Sequence, residues 1–216
     1  TSGTVFAVSS SSTHDTSGTI AGFASASNSS LPLVCTLNAA RVMDSFAKLL
    51  NVSHDELGQL ALKAEPGAGG VVLVPYFEGE RTPNLPHATA ELVGLTLANN
   101  TRENIARAAI EGMLCGLNAG LEALADAGVA CSRIFLVGGA GANPAVQVIA
   151  GEIFGVPVVI AEPGEYVANG AARQAAQLVL GSAPAWSIAT IGTVSSPQAT
   201  HVIENYRKAA AFAASR

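Results

Sequence analysis

A run of glycines in the second half of the chain is the sequence feature best suited to hold a ligand. Gly138, Gly139 and Gly141 stand between an apolar segment, 134–137, that predicts a buried strand, and an amphipathic segment, 144–154, that predicts a helix. Glycines let the main chain take positive φ values and let a ligand approach without meeting a Cβ atom. The pattern predicts a strand, turn and helix whose main chain lines a binding site, and a tight connection without a ligand is an equal alternative.

The same turn lacks two common nucleotide-binding patterns. Asn143 suits the N-cap of the following helix, and Pro144 suits its first position. Pro144 also takes the place of the third glycine that a dinucleotide fingerprint beginning at Gly139 needs, and the chain has no Gly-Lys-Ser/Thr sequence for a Walker loop. A nucleotide at this turn must therefore be held in another way.

Two further polar segments carry groups with chemical uses. The turn 1–4, Thr-Ser-Gly-Thr, offers hydroxyl and main-chain N–H groups of the kind that contact phosphate, and a frayed terminus explains it equally well. Glu78, Glu80 and Arg81 lie in an irregular loop. The two carboxylates, two residues apart, suit acid/base work, but a structural ion-pair anchor made by Glu80 and Arg81 is the favoured interpretation. Ser2 has no local base partner and no G-x-S-x-G sequence occurs, so no catalytic triad is predicted.

The cysteines and histidines indicate neither a disulfide framework nor a metal cluster. Cys35, Cys115 and Cys131 are far apart and form no CxxC pair, so we expect reduced, buried thiols. The histidines are dispersed without HxH or HxxxH spacing, and no protein-ligated metal is predicted. His54 falls in a capping box, 53–56, that opens a short helix, so we expect an exposed first-turn residue rather than a base.

The remaining pattern predicts the elements that position these groups. Predicted helices lie over 39–50, 53–62, 100–127, 165–180 and 206–215, and predicted strands over 5–8, 19–25, 31–37, 71–74, 92–97 and 156–161. The helix beginning near residue 100 opens with a second capping box, 100–103, and ends before Gly128. Early strands followed by alternating helices and strands indicate an α/β fold with a mixed sheet flanked by helices.

Composition limits the class of protein. The chain has 216 residues, of which 49% are hydrophobic and 12% charged, enough apolar surface for one domain of 1–216 with a less regular tail over 182–216. The net charge of −5 provides no electrostatic footprint for nucleic acid or an anionic membrane. Apolar runs are too short to span a bilayer and no basic-then-apolar leader opens the chain, so we expect a cytoplasmic protein.

With these segments identified, the sequence resembles the C-terminal domain of the FGGY carbohydrate kinases, and most closely the xylulokinase branch of that family. The matching segments are 1–4, 35–40, 78–83, 94–96, 136–140 and 165–172. They occur in the family's order over residues 1 to about 180, which is more specific than any single glycine motif.

The resemblance implies an actin-like ATPase domain of the ribonuclease H-like type, which faces a similar N-terminal domain across a cleft. It also implies transfer of the γ-phosphoryl group of ATP, bound with Mg²⁺, to a sugar hydroxyl. For the xylulokinase branch, the acceptor is D-xylulose and the product D-xylulose 5-phosphate. The sugar is reached mainly through the N-terminal domain, and association into a homodimer is left open.

Family site residues transfer to this chain only where its sequence matches. The resemblance assigns the nucleotide contacts to Thr1, Ala40, Asp44, Gly139, Ala140 and Asn143. Thr1 resembles the hydroxyl of the phosphate turn. Gly139 and Ala140 resemble the main chain that lines the adenosine, and Asn143 resembles the side chain that ends this loop. The two residues of the 39–50 helix flank the nucleotide from the other side.

The sequence departs from the family in what precedes Thr1. The family's catalytic aspartate, its first phosphate motif and most of its sugar contacts are not in this chain, so no catalytic residue is assigned. We expect half of a kinase that is inert alone and binds ATP weakly or undetectably. The alternatives are a non-catalytic binding or dimerisation module, another FGGY kinase acting on glycerol, ribulose or gluconate, or a different actin-like ATPase.

Overall fold

A computed structural model describes residues 39–80, 84–126, 128, 131–182, 184–185 and 187–215. The helices are α1 (Ala39–Leu50), α2 (His54–Ala61), α3 (Arg102–Asp126), α4 (Pro144–Phe154), α5 (Tyr166–Leu180) and α6 (Thr200–Ala214). The strands are β1 (Val72–Val74), β2 (Glu91–Val93), β3 (Ile134–Leu136), β4 (Val158–Ala161) and β5 (Thr190–Val194). Single 3₁₀ turns lie over Ala68–Gly70 and Ala140–Ala142.

The described strands form two small sheets. β1 and β2 pair antiparallel. β3 pairs parallel with β4, placing Leu136 opposite Ile160, and β5 pairs antiparallel with the other edge of β4. Helix α4 makes the crossover between the two parallel strands. The sheet is therefore mixed, as predicted.

Helix α3 is the centre of the core. Its residues 106–115 are all buried, and they contact α1, α2, α4 and β1. Gly112 allows one of these contacts, because a Cβ atom at this position would lie 2.2 Å from the main-chain oxygen of Leu73 in β1. Ala109, Gly112 and Leu117 are buried, and the burial extends to the other faces of this helix as well.

A buried ion network joins α3 to its neighbours. The Arg107 guanidinium donates from Nε to Glu111 Oε1 at 2.7 Å and contacts the Glu152 carboxylate of α4. It also donates to the main-chain oxygen of Ala64 at 3.3 Å, and Glu111 accepts from the N–H of Gly67 at 2.9 Å. Burial raises the pKa of Glu111, and its contacts with Arg107 and Gly67 oppose that rise. The charges are therefore buried with partners.

Several predicted boundaries agree with the structure and one cap does not. Helices α1 and α4 have the predicted bounds, and the Ser53–Glu56 capping box forms in both directions. The second box, predicted from residue 100 to 103, is wrong by one residue. Thr101 is the cap, because its hydroxyl accepts from the N–H of Asn104 at 3.2 Å and its carbonyl accepts from that of Ile105.

The C-terminal segment is more regular than predicted. β5 was not predicted, and α6 begins at Thr200 rather than Tyr206 because Val202 and Ile203 are buried against the core. The strand predicted over 92–97 ends at Val93, since Gly94 takes a φ of 80°. The predicted strands 5–8, 19–25 and 31–37 lie outside the described residues. No helix in the described part is long and apolar enough to cross a membrane.

We predict that Gly112→Ala destabilises the fold despite the higher helix propensity of alanine. The added Cβ would collide with the β1 main chain, which cannot rotate away as a side chain can, so we expect a loss of about 3 kcal/mol. Gly170→Ala in α5 is the matched control. It meets open space and should gain about 0.5–1 kcal/mol. Urea unfolding of both variants checks this, and equal effects would contradict the close approach.

We predict that Arg107→Met costs about 3–5 kcal/mol, because Glu111 then stays buried without its cation. The loss should shrink as the pH falls from 8 to 5.5. Without Arg107 the folded pKa of Glu111 rises further above its unfolded value, so the folded state takes up a proton that the unfolded state does not bind. Urea unfolding at both pH values tests the sign, and a loss independent of pH would refute it.

Candidate functional site

The glycine turn forms the predicted strand, turn and helix start. β3 ends at Leu136, Gly138 takes a φ of 86°, and the chain makes one 3₁₀ turn over Ala140–Ala142 before α4. Asn143 is the N-cap of α4 and Pro144 its first residue, as predicted. Gly141 does not have a positive φ. Glycine suits this position because a Cβ atom there would lie 3.0 Å from Cγ of Leu136.

An open groove runs along this turn. It has a volume of about 340 Å³, and its second wall is the connection between β4 and α5. Tyr166 shapes that wall by donating from its hydroxyl to the main-chain oxygen of Glu162 at 2.6 Å. The groove is lined by residues 136–139, 141–142, 147, 160–166 and 191. The wall nearest the glycines is thus largely main chain.

Hydrogen bonds inside the turn leave its N–H groups more accessible than its carbonyl groups. The carbonyl oxygen of Gly139 accepts from Ala142, that of Ala140 accepts from Asn143, and that of Gly141 accepts from the Gln147 side chain at 2.9 Å. Within the described part of the chain, the N–H groups of Gly138 and Gly139 have no hydrogen-bond acceptor. The turn therefore offers donors to an electron-rich ligand.

Asn143 lies behind the turn, and only 7% of the residue is exposed. Its Oδ1 accepts from the N–H of Ala145 at 2.9 Å, and its Nδ2 donates to the main-chain oxygen of His54 at 2.9 Å. Ala140 is also buried, in the same cluster as Met43 of α1. Of the residues assigned to the nucleotide, Gly139 lines the groove, whereas Ala140 and Asn143 are not among its lining residues.

Asp44 connects to the same place from α1. Its Oδ1 lies 2.8 Å from Nε2 of His54, with side-chain exposures of 63% and 50% respectively. His54 thus contacts Asp44 through its ring and Asn143 through its carbonyl oxygen. Helix α1, which also contains Ala40, contacts the 3₁₀ turn at 140–142. Thr1 lies outside the described residues.

His54 is an exposed residue of the first turn of α2, as predicted. The residue that the sequence did not single out is Gly58, in the same helix. A Cβ atom there would lie 2.6 Å from Asn143 Oδ1. A glycine inside a helix that opens with a capping box is itself a signal, because alanine is the better helix former by about 1 kcal/mol.

The acidic loop is anchored to α1. Arg41 Nη1 and Nη2 donate to the two carboxylate oxygens of Glu78, each at 2.6 Å, and this contact lowers the pKa of Glu78. An ion pair therefore forms at Glu78 with Arg41 as the cation, whereas the anchor predicted for this loop was Glu80 with Arg81. Arg81 lies outside the described residues. Glu78 is paired with Arg41 through both carboxylate oxygens, which suits an anchor better than a proton acceptor.

The described cysteines are not activated thiols. Cys115 is buried in the core, which raises its pKa strongly, and partial burial raises the pKa of Cys131. Among the residues that the structure describes, no group of three or more His, Cys, Asp or Glu side chains is placed to hold a metal ion.

Comparison with known proteins identifies the domain. The model of the C-terminal domain of the FGGY family of carbohydrate kinases matches residues 1–179. Xylulose kinase of Haemophilus influenzae is 37% identical over 175 residues, which are 81% of this chain and 36% of that protein. A glycerol kinase of Alkalilimnicola ehrlichii is 39% identical over 129 residues, covering 59% of this chain and 26% of that protein.

The structural match is of the same kind. The crystal structure of xylulose kinase from Bifidobacterium adolescentis superposes with a TM-score of 0.72 at 46% identity, over 83% of this chain and 36% of that one. The chain thus matches little more than a third of the length of these two xylulose kinases. The FGGY kinases have the actin-like ATPase fold, as predicted for this chain. The chain belongs to the FGGY family of carbohydrate kinases, of which it contains the C-terminal domain.

Proposed function

We propose that this chain is the nucleotide-binding C-terminal part of an ATP-dependent sugar kinase. The favoured reaction is ATP with D-xylulose to give ADP and D-xylulose 5-phosphate. Support comes from the sequence matches, which cover 81% of the chain for the xylulose kinase of Haemophilus influenzae and 59% for the glycerol kinase of Alkalilimnicola ehrlichii. The 46% identity to the xylulose kinase structure from Bifidobacterium adolescentis points the same way. Glycerol, ribulose and gluconate are the alternative acceptors. The proposal places the enzyme in the cytoplasm.

The observation that carries the proposal is the open groove along the glycine turn. Phosphoryl transfer requires little covalent chemistry from the protein, which mainly positions the nucleotide and stabilises charge. The main chain of Gly139 would line the adenosine, with Ala140 buried next to it and Asn143 ending the turn. Ala40 and Asp44 would flank it from α1, and Thr1 would contact the phosphates. Mg²⁺ would arrive bound to ATP, with no ligand set of its own among the described side chains.

The chain by itself should be inert. Its groove is open on one side, and a nucleotide site normally buries most of its ligand between two walls. Glu78 is held by Arg41 and is not positioned as a base for a sugar hydroxyl. The wall that would cover the open side of the groove, the base and the sugar contacts would therefore come from an N-terminal part of the kinase. We call the chain combined with that part the two-part protein.

A second candidate function is a binding or dimerisation module that uses the same fold without a nucleotide. The observation in its favour is exposed apolar surface that lies outside the groove. Leu178 and Val179 at the end of α5 are 88% and 85% exposed. Exposed apolar side chains in number indicate a contact surface.

Calorimetry with MgATP separates the two candidates. For the kinase we expect no measurable heat with the chain alone, and both binding and phosphorylation of D-xylulose with the two-part protein. Glycerol, ribulose and gluconate are offered in parallel to identify the acceptor. Absence of both heat and activity in the two-part protein would favour the module.

We predict that neighbouring glycines of the turn respond differently to alanine. Gly139 has φ −61° and ψ −42°, which any residue adopts, so Gly139→Ala should change the stability by less than about 0.5 kcal/mol. Because Gly139 lines the groove, we expect the added methyl group to weaken MgATP binding by the two-part protein about tenfold. Gly138→Ala should cost about 1–2 kcal/mol of stability, since φ is 86°. Urea unfolding and calorimetry measure both, and unchanged MgATP binding by Gly139→Ala would contradict the placement.

A further inference from the structure

Both polar atoms of the Asn143 side-chain amide form hydrogen bonds. Its oxygen caps α4 by accepting from the N–H of Ala145 at 2.9 Å, and its nitrogen donates to the carbonyl oxygen of His54 at 2.9 Å. These contacts join the end of the glycine turn to the first turn of α2. A buried amide with both groups engaged is held in one orientation.

Helix α2 is shaped around this side chain. Gly58 faces it so closely that a Cβ atom would lie 2.6 Å from Oδ1, 3.0 Å from Nδ2 and 3.2 Å from Cβ of Ala145. Glycine in a helix interior costs about 1 kcal/mol relative to alanine. The close approach of Asn143 to α2 therefore depends on a residue that helix propensity alone disfavours.

The contact also reaches α1. The His54 ring pairs with Asp44 at 2.8 Å, so the residue that accepts from Asn143 is held from the other side. The main-chain N–H of Asn143 donates within the 3₁₀ turn as well, to the carbonyl oxygen of Ala140 at 3.2 Å. A displacement of Asn143 would therefore be passed to the main chain that lines the groove.

We propose that Asn143 is a positioning residue, which fixes the glycine turn against α2 through His54 while Gly58 makes room for it, rather than a side chain that touches the nucleotide base. The inference rests on the proposed function and assigns this residue its role in it. Nucleotide affinity should then depend on Asn143 without dependence on which base is bound.

The test compares MgATP with MgITP, which differ at the six-position of the purine, in binding to the two-part protein. Asn143→Asp retains an oxygen that caps α4 but loses the donor to His54. We expect both dissociation constants to rise by about fivefold, the value of one hydrogen bond. The ratio of the two constants should stay as in the unaltered protein.

Gly58→Ala tests the same contact from the other side, and it serves alone if Asn143→Asp does not fold. It should weaken both nucleotides by a similar factor, although it touches neither. The double variant should lose no more than Asn143→Asp alone, because both changes break one contact. Gly170→Ala, which adds a methyl group to a helix in open space, is the control and should bind both nucleotides normally.

The outcomes separate the inference from the proposed function. A changed ratio of MgATP to MgITP binding in Asn143→Asp would mean that the side chain reads the base, which overturns the inference. Unchanged affinities in both variants would also overturn it. If the unaltered two-part protein binds neither nucleotide, the proposed function fails, and the inference fails with it.

Discussion

The burial of one positive charge constrains much of this structure. Arg107 is 3% exposed and lies in the middle of the core, where an ion without partners would be very unfavourable. Its partners come from three separate segments: Glu111 one turn along α3, Glu152 of α4, and the main chain at Ala64. These segments must therefore meet at the guanidinium before the fold is complete.

This constraint reaches the candidate site through α4. Glu152 lies near the C-terminal end of α4, and the glycine turn leads into the N-terminal end of the same helix. The ion network therefore holds the helix that follows the turn. The N-terminal end of α4 is held separately, by Asn143 against α2. A turn supported at both ends of its helix keeps its main chain in one conformation, which is what a groove lined by main-chain atoms requires.

Local sequence signals predicted the elements better than their partners. The apolar spacing of α1 and α4, the Ser53–Glu56 box and the Asn143-Pro144 start all act within a few residues, and all are confirmed. The cap of α3 is Thr101, one residue after the predicted position, where its hydroxyl accepts from the N–H of Asn104. β5 was missed because its side chains are mostly exposed and carry no alternating pattern.

The site shows the same division. The glycine turn was visible in the sequence, and family resemblance added positions on α1. Neither could indicate that Asn143 donates to His54, 89 residues away in the sequence, or that Gly58 makes room for the Asn143 side chain, because these are tertiary contacts. Arg41 was likewise unforeseen as the cation for Glu78, which stands 37 residues away.

The central claim is that the main chain of the glycine turn holds the nucleotide. Amide hydrogen exchange of the two-part protein, with and without MgATP, measures this directly, because it reports on the N–H groups themselves. The account predicts slower exchange at Gly138 to Ala142 when MgATP is bound. Nucleotide-dependent protection that appears elsewhere while this turn exchanges unchanged would contradict it.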